Sequence, residues 1–404
     1  MPNTLTRDHV EQASDRLRTV IHNTPLEYSN TFSRMSGANV YLKCENLQKT
    51  GSFKIRGAYN TIAQLKEAGE LSAIVASSAG NHAQGVAYAA SRLGIPATIV
   101  MPTTSPLAKV QATQDYGARV VLHGSDYDSC YAHAMTLQQA QNATFVHPFD
   151  DLAVIAGQAT IGVDLLKALP TTDVVFVPAG GGGLLAGVAF LLKQVNPRIQ
   201  VIGVQAQGAD AIVQSFQQGT LMATDQVNTI ADGIAVKKPG TLTYELIAKH
   251  VDDMITVSDT EIASAILNLL ERSKLMVEPA GATSLAGLLS GQIDVRDKHC
   301  VAVLSGGNID VNFVGKIIDS GLHARHRKLK LRAIIRDVPG SLEQFTRIIG
   351  ENNANIVKVR HDRMNLELDI RDVMLHVTCE VSGEQHGKQL LSNLKGAGYP
   401  VFEG

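Results

Sequence analysis

The sequence predicts an α/β fold built on mostly parallel sheets, followed by a smaller C-terminal βαββαβ domain. From residue 40 to residue 304, short apolar runs alternate with segments of helical periodicity, and this alternation is typical of parallel sheets covered by helices. A basic run at residues 323–328 interrupts the pattern, and new strand-like and helix-like segments follow it. We therefore expect two domains joined near this run.

The strands of the first domain, residues 1–322, are expected where apolar runs of strand length precede turn residues. The residues that indicate one shared site are divided along the chain: Lys54 and Asn81 precede Phe149, and the glycine run follows it. This division predicts a small subdomain, residues 52–148, inserted in a larger one, with the site in the cleft. The expected strands are residues 73–76, 97–101, 119–123, 145–149, 174–177, 201–205 and 300–304.

The second domain, residues 329–404, shows a βαββαβ order. The connecting segment HARHRK, residues 323–328, has no apolar periodicity and no interleaved aromatic residue, so we favour a solvated linker over a nucleic-acid patch. Strands are expected at residues 329–336, 356–361, 373–381 and 399–402, and helices at 341–350 and 385–394.

Composition argues against several functional classes. The 404 residues are 45% hydrophobic and carry a formal net charge of −2, which indicates no general affinity for nucleic acid or anionic membranes. The N-terminus lacks an apolar signal core, and no segment is long and charge-free enough to span a bilayer. Four widely spaced cysteines without a metal-ligand pattern are expected to be buried thiols in a reducing cytoplasm: Cys44, Cys130, Cys300 and Cys379.

Four consecutive glycines, residues 180–183, separate the apolar stretch 173–178 from the helix-like segment 184–193. They remove every side chain from a strand-to-helix turn, so several backbone N–H groups can converge on an anion at the positive end of the helix. A phosphate is the expected anion. A tight turn packed on the sheet is the alternative, although one or two glycines suffice for a turn.

Neighbouring residues narrow the kind of phosphate. A nucleotide triphosphate loop needs Lys followed by Ser or Thr, whereas Leu184 and Leu185 follow the glycines. A dinucleotide site needs an acidic residue at the end of the next strand, where Gln205 stands, so an NAD-dependent dehydrogenase is disfavoured. A small phosphate monoester remains, and pyridoxal phosphate is the cofactor that would require a reactive lysine elsewhere in the chain.

Lys54 is the candidate for that lysine. It follows Ser52, a candidate N-cap, and opens a segment of helical apolar spacing, residues 55–65. The positive end of the helix dipole and the apolar neighbours Phe53 and Ile55 would lower the pKa of Lys54 and favour the neutral amine that forms an imine with an aldehyde. A solvated surface lysine is the alternative.

Two further loops of small residues follow apolar strands. Residues 73–76 lead into SSAGNHAQG at 77–85, where a hydroxyl and backbone N–H groups can bind a carboxylate. Residues 300–304 lead into SGGN at 305–308. Three such loops and Lys54 predict one site along the carboxyl edge of an open sheet.

Six motifs occur in order along the chain: SFKIRG around Lys54, SSAGNHAQG at 77–85, GQAT at 157–160, PAGGGGLLAG at 178–187, EPAGA at 278–282 and SGGN at 305–308. This set resembles the threonine/serine dehydratase family of fold-type II pyridoxal phosphate enzymes, over about residues 5–320. The resemblance implies a two-domain fold similar to that of the tryptophan synthase β-subunit.

The resemblance also implies roles for residues of these motifs. Lys54 forms the internal aldimine, Phe53 flanks the ring, Asn81 bonds the phenolic oxygen, and Ser305 faces the pyridine nitrogen. A serine there does not enforce a protonated ring, which favours elimination over transamination. The implied phosphate-binding residues are Gly180, Gly181, Gly182, Gly183 and Leu184, and the implied substrate-binding residues are Ser78, Ala79, Gly80, Asn81 and His82.

The implied activity is that of a carbon–nitrogen lyase: α,β-elimination of L-threonine to 2-oxobutanoate and ammonia, with L-serine to pyruvate as a side activity. Similar enzymes that racemise serine carry a serine where Ala79 stands, and an alanine cannot move a proton. Gln205 and Ala211 stand where those racemases have divalent-metal carboxylates, so no metal is expected. A serine racemase or serine dehydratase, and a non-catalytic amino-acid sensor, remain the alternatives.

With DVPGSL at residues 337–342, the C-terminal domain resembles an ACT regulatory module. Ser341 is expected to cap a helix whose free N–H groups bind an effector, either an amino acid such as isoleucine or valine or a nucleotide. A dimerisation domain without a ligand is the alternative. We expect a cytoplasmic homo-oligomer, a dimer or tetramer, that acts in isoleucine biosynthesis or threonine breakdown.

Overall fold

The computed structural model describes residues 4–69, 71–364 and 368–403. The chain forms two compact units, Met1–Ile309 and Asp310–Gly404. The strands are β1 (Leu26–Tyr28), β2 (Asn39–Cys44), β3 (Ile74–Ser77), β4 (Ala97–Met101), β5 (Arg119–Leu122), β6 (Thr144–Phe145), β7 (Val174–Pro178), β8 (Gln200–Ala206), β9 (Asp253–Val257), β10 (His299–Leu304), β11 (Lys328–Arg336), β12 (Asn355–Asp362), β13 (Asp372–Glu380) and β14 (Val401–Glu403).

Helices cover these strands and connect most of them. Short 3-10 turns lie at Glu45–Leu47, Gln207–Ala209 and Asp232–Ile234, and a π-helical turn lies at Leu269–Ser273. The α-helices are α1 (Arg7–Leu17), α2 (Asn30–Ser36), α3 (Lys54–Glu67), α4 (Asn81–Leu93), α5 (Leu107–Asp115), α6 (Tyr127–Gln141), α7 (Leu152–Ala168), α8 (Gly183–Val195), α9 (Ala211–Gln218), α10 (Thr241–His250), α11 (Asp259–Asn268), α12 (Pro279–Leu289), α13 (Val311–Ala324), α14 (Ser341–Glu351) and α15 (Glu384–Gly396).

The first unit contains two sheets. The larger has the order β1-β2-β10-β7-β8-β9 and is parallel except for β1. The smaller is fully parallel with the order β5-β4-β3-β6, and its strands lie within residues 74–145. Strands β4 and β7 are buried along their whole length, which explains why these segments are continuous apolar runs rather than alternating ones.

Close packing of α3 against α7 fixes the position of Lys54. A Cβ on Gly157, in the GQAT motif, would lie 2.5 Å from the backbone oxygen of Arg56. Only glycine therefore permits the approach of the two helices at this point. Lys54 is the first residue of α3, so this contact sets its place in the fold.

The second unit is an antiparallel sheet with the order β12-β13-β11-β14. Helices α14 and α15 contribute apolar residues to its core, which includes Leu331, Phe345, Leu375 and Leu390. From β11 onward, the elements follow the predicted βαββαβ order. Within the described residues, none of the helices combines the length and apolarity that crossing a membrane requires.

Three local expectations are wrong. Helix α3 begins after Phe53 without a side-chain cap, because Ser52 instead pairs with Gly306 in an isolated antiparallel bridge. Ser341 is already the first residue of α14, and the position before it is taken by Gly340 in the left-handed conformation. Strand β6 stops at Phe145, because His147 Nδ1 accepts backbone N–H groups from residues 149 and 150 and turns the chain.

The division between the units falls earlier than the expected boundary at residue 322. It lies before α13, whose buried residues are Val314 and Ile317. The expected linker, residues 323–328, includes the last two residues of α13 and the first residue of β11. Half of the basic run is therefore incorporated into regular structure, and residues 325–327 form the turn between α13 and β11.

Candidate active site

A cavity of about 710 Å³ lies in the first unit, where the loops after β3, β7 and β10 meet. The carboxyl ends of parallel strands are the usual location of ligand sites in such sheets. Every site residue expected from the sequence lines this cavity: Phe53, Lys54, Ser78, Ala79, Gly80, Asn81, His82, Gly180, Gly181, Gly182, Gly183, Leu184 and Ser305.

The Lys54 amine is directed into this cavity and donates a hydrogen bond to the Pro148 carbonyl oxygen at 2.9 Å. Its Nζ also lies 5.3 Å from the ring centroid of Phe53. Burial lowers the pKa of Lys54 to about 8, although the negative charge of Glu278 opposes this shift. A larger fraction of the amine is therefore neutral near physiological pH than in a solvated lysine, which favours reaction with a carbonyl carbon.

The glycine loop runs from the end of β7 into α8. No hydrogen-bond acceptor is found among the described residues for the N–H groups of residues 180–184. Gly182 has φ of 97°, and a Cβ on Gly181 would overlap with the ring of Phe149. The loop thus needs glycine both for its backbone conformation and for close packing, and it leaves a set of donors at a helix N-terminus that suits a phosphate.

The loop after β3 presents small side chains and the N-terminus of α4. Gly80 N–H donates to Ser78 Oγ at 3.2 Å. The His82 ring contacts the Val146 carbonyl oxygen through Nε2 at 2.9 Å, and burial lowers its pKa to about 3. The imidazole is therefore neutral, and its Nε2 proton is bound to the backbone.

The loop after β10 is joined to the segment before α3. Phe53 N–H donates to the Ser305 carbonyl oxygen at 3.0 Å, and Gly307 N–H donates to the Gly51 carbonyl oxygen at 2.8 Å. These bonds hold Ser305 close to the start of α3. Ser305 is itself buried. The predicted proximity of the SFKIRG and SGGN motifs is confirmed.

A buried ion cluster fixes the helix that carries Lys54. The Arg56 guanidinium is fully buried and binds Glu45 with its Nε at 2.8 Å and its Nη2 at 2.7 Å. Its Nη2 also lies 2.7 Å from an Asp164 oxygen, and Lys43 approaches the same carboxylate at 3.3 Å. Because both carboxylates neutralise buried cations, this cluster can exist inside the protein only as a unit.

Sequence reasoning gave no role to Glu278 or Asn308, although both stand in quoted motifs. Glu278 is buried, and its carboxylate accepts a hydrogen bond from Asn81 at 2.6 Å. Asn308 donates to the other end of the same Asn81 amide at 2.7 Å. An ionisable residue in a motif of otherwise small residues was the signal that could have identified Glu278.

Residues 17–306 match the model of the family described as pyridoxal-phosphate dependent enzyme. The chain belongs to this family. An L-threonine ammonia-lyase from Thermotoga maritima is 46% identical over 397 residues, which cover 98% of this chain and 99% of the relative.

Two solved structures share the fold of most of this chain. One is a processed threonine deaminase from Solanum lycopersicum, with a TM-score of 0.73, 36% identity, and coverage of 79% of this chain and 95% of the other. The second is a maize serine racemase, with a TM-score of 0.74, 35% identity, and coverage of 79% of this chain and 98% of the other. The cavity suits the family's cofactor, because it combines an amine of lowered pKa with an unbonded N–H cradle.

The second unit has a separate cavity of about 620 Å³ between the end of β11 and the start of α14. Arg363 enters it and pairs with Asp337 at 3.0 Å. The lining consists of Ile335, Arg336, Asp337, Val338, Pro339, Gly340, Ser341, Leu342, His361 and Arg363. Ser341 N–H donates to the Val338 carbonyl oxygen at 3.2 Å, and no acceptor is found among the described residues for the next two N–H groups of α14.

Proposed function

We propose that this protein is an L-threonine ammonia-lyase that converts L-threonine to 2-oxobutanoate and ammonia, with L-serine to pyruvate as a side activity. The observation that carries the proposal is the presence of the Lys54 amine and the glycine-loop donors in one cavity. A sequence 46% identical over nearly its whole length and named for this activity supports the choice of reaction.

Each part of the cavity has a distinct task. The N–H groups of residues 180–184 would bind the phosphate, the side chain of Phe53 would flank the ring, and the hydroxyl of Ser305 would meet the pyridine nitrogen. When bound, pyridoxal phosphate supplies the electron sink that makes the substrate Cα–H acidic. Lys54, as a neutral amine, would take the Cα proton, and the β-hydroxyl would gain a proton and leave as water. Hydrolysis of the unsaturated amino acid that remains would then release ammonia and the 2-oxo acid.

The loop at residues 78–82 would bind the substrate carboxylate through backbone N–H groups at the N-terminus of α4. Ala79 lies on the wall of the cavity and carries no group that can transfer a proton. A racemase must deliver a proton to the face opposite the base. The composition of this loop therefore favours elimination over racemisation, despite the similarity to the maize enzyme.

Assays of 2-oxo acid release from L-threonine and from L-serine test the proposal. The wild-type protein should release 2-oxobutanoate, and Lys54→Ala should abolish the release. D-serine formation that equals pyruvate formation would favour the racemase instead. Binding of threonine without release of ammonia would favour an amino-acid sensor.

We further propose that the second unit regulates the enzyme by binding an amino acid, isoleucine or valine, in the cavity beside α14. The α-carboxylate would meet the N–H groups that follow Gly340 and the guanidinium of Arg363. A nucleotide is the second candidate. An effector changes activity only if it binds two states unequally, by about 1–3 kcal/mol in ordinary allostery.

Removal of the second unit tests the regulatory proposal. A chain that ends at Ile309, the last residue of the first unit, should retain turnover and lose any response to isoleucine, valine or nucleotide. An unchanged response in the truncated, folded enzyme would contradict a regulatory role. Sedimentation of the full chain tests the expected homo-oligomer, a dimer or tetramer.

A further inference from the structure

Asn81 has both ends of its side-chain amide engaged by other side chains. Its Nδ2 donates to Glu278 Oε1 at 2.6 Å, and its Oδ1 accepts from Asn308 Nδ2 at 2.7 Å. The family resemblance implies a role for the Asn81 side chain but none for its two partners. The three side chains come from three different segments around the cavity: Asn81 opens α4, Glu278 precedes α12, and Asn308 lies in the loop after β10.

A backbone carbonyl fixes the direction of this hydrogen-bond chain. Asn308 Nδ2 also donates to the carbonyl oxygen of Thr50 at 2.8 Å, and a carbonyl oxygen can only accept. The amide nitrogen of Asn308 must therefore face both Thr50 and Asn81. The oxygen of the Asn81 amide then faces Asn308, and its nitrogen faces Glu278.

One donor hydrogen of Asn81 remains free. An amide nitrogen carries two hydrogens, and Glu278 accepts one of them. No acceptor for the second is found in the described ranges 4–69, 71–364 and 368–403. Asn81 lines the cavity, so this hydrogen is available to an oxygen of a bound ligand.

Two glycines make room for the partners of Asn81. A Cβ on Gly306 would overlap with Glu278 Oε1, and a Cβ on Gly51 would overlap with Asn308 Oδ1. Gly51 also has φ of 70°, which favours glycine independently. The backbone around the cavity is thus shaped to admit both side chains.

We propose that Glu278 and Asn308 are positioning residues that hold the Asn81 amide in one orientation, with its free hydrogen available to the bound cofactor. The inference rests on the proposed function and on the role that the family resemblance implies for Asn81, donation to the phenolic oxygen of pyridoxal phosphate. An ionised Glu278 only accepts hydrogen bonds, so it selects the amide nitrogen of Asn81. A protonated Glu278 is a neutral and weaker acceptor, so it holds the Asn81 amide less firmly.

Burial and the charges around Glu278 place its change of protonation near neutral pH. Burial raises the pKa of Glu278 to about 7, and the nearby Asp232 carboxylate raises it too. The hydrogen bond from Asn81 and the positive charges of Lys109 and Lys54 act in the opposite direction. As the pH falls through this range, the preference for one Asn81 orientation weakens.

The absorption spectrum of the cofactor in the full-length holoenzyme tests the proposal. The ratio of the long-wavelength band to the short-wavelength band reports the charge on the phenolic oxygen. Above the Glu278 pKa, Glu278→Gln should lower this ratio about twofold or more, because a neutral acceptor replaces a charged one and the weaker hydrogen bond shifts an equilibrium several-fold. It should also remove the pH-dependent step of the wild type, and Asn308→Ala should lower the ratio in the same direction.

Asp232→Asn is the matched control, because it removes one nearby negative charge without touching Asn81. At high pH it should keep the wild-type ratio. Its pH midpoint should move lower, since Asp232 raises the pKa of Glu278.

Borohydride reduction and peptide mass spectrometry separate this inference from the proposed function. If the wild type carries the cofactor on Lys54 but Glu278→Gln and Asn308→Ala show wild-type spectra at every pH, the positioning role is overturned and the proposed function stands. If the wild type carries no cofactor on Lys54, the proposed function itself fails, and this inference fails with it. Should Glu278→Gln not fold, as judged by circular dichroism, the Asn308→Ala spectrum decides.

Discussion

Replacement of Arg56 by Met should strongly destabilise the first unit. The methionine fills much of the same space but leaves the buried Glu45 carboxylate without its two guanidinium bonds of 2.8 and 2.7 Å. Breaking a buried ion pair by removal of one partner costs about 3–5 kcal/mol. Since whole domains are stable by about 5–15 kcal/mol, this loss is a large part of the total.

Urea unfolding followed by circular dichroism measures the effect. The matched control is Glu67→Gln, which breaks the exposed pair between Arg16 and Glu67 at 2.8 Å and should cost about 1 kcal/mol or less. A free-energy loss for Arg56→Met no larger than that of the control would refute the reasoning that the cluster exists only as a unit.

The free energy of unfolding lost in Arg56→Met should depend on pH in one direction. The Arg56 guanidinium holds the pKa of Glu45 below its usual value against the opposing effect of burial, so the wild type loses this stabilisation as the pH falls from about 4.3 through the lowered folded pKa. In Arg56→Met, Glu45 keeps only the more distant Lys43 at 3.7 Å as a charge partner, so protonation of Glu45 removes a buried charge that is poorly compensated. The difference between variant and wild type should therefore narrow in acid, and a constant difference would contradict the account.

Three further predictions concern the cavity. Ala79→Ser should increase the formation of D-serine from L-serine several-fold, because a hydroxyl supplies the missing proton donor; an unchanged ratio of D-serine to pyruvate would show that residue 79 does not determine the reaction. Gly181→Ala should weaken retention of pyridoxal phosphate by about tenfold or more, a cost of about 1.4 kcal/mol, since its Cβ would overlap with Phe149; equilibrium dialysis measures this, and Gly315→Ala, where a Cβ meets nothing within 4 Å, should retain wild-type affinity. In protein stripped of cofactor, attachment to Lys54 should accelerate as the pH rises and level off above about 8, where the amine is neutral; a rate that is independent of pH would contradict the lowered pKa.

Much of the fold was predictable because its signals are local. The strand at residues 97–101 is continuous, buried and apolar, and the structure has β4 over the same residues. The glycine run marked the turn into α8 for the same reason, because its conformation depends on residues adjacent in sequence. The buried state of the four cysteines also agrees with the expectation.

The remainder depended on contacts between distant segments. Ser52 looks like a helix cap in sequence, but its pairing with Gly306, far along the chain, removes it from that position. The arrangement of Glu278, Asn81 and Asn308 likewise joins three segments that no periodicity connects. The start of the second unit was missed because α13 has its own apolar stripe, which gives no sign of the unit to which it belongs.

The most direct test of the central claim is the site of cofactor attachment in the active enzyme. Purified protein is reduced with borohydride, digested, and examined by mass spectrometry, while a parallel sample is assayed for 2-oxobutanoate release from L-threonine. We predict the reduced adduct on Lys54 and complete loss of 2-oxo acid release in the reduced sample. An adduct on another lysine, or full activity after reduction, would contradict the account.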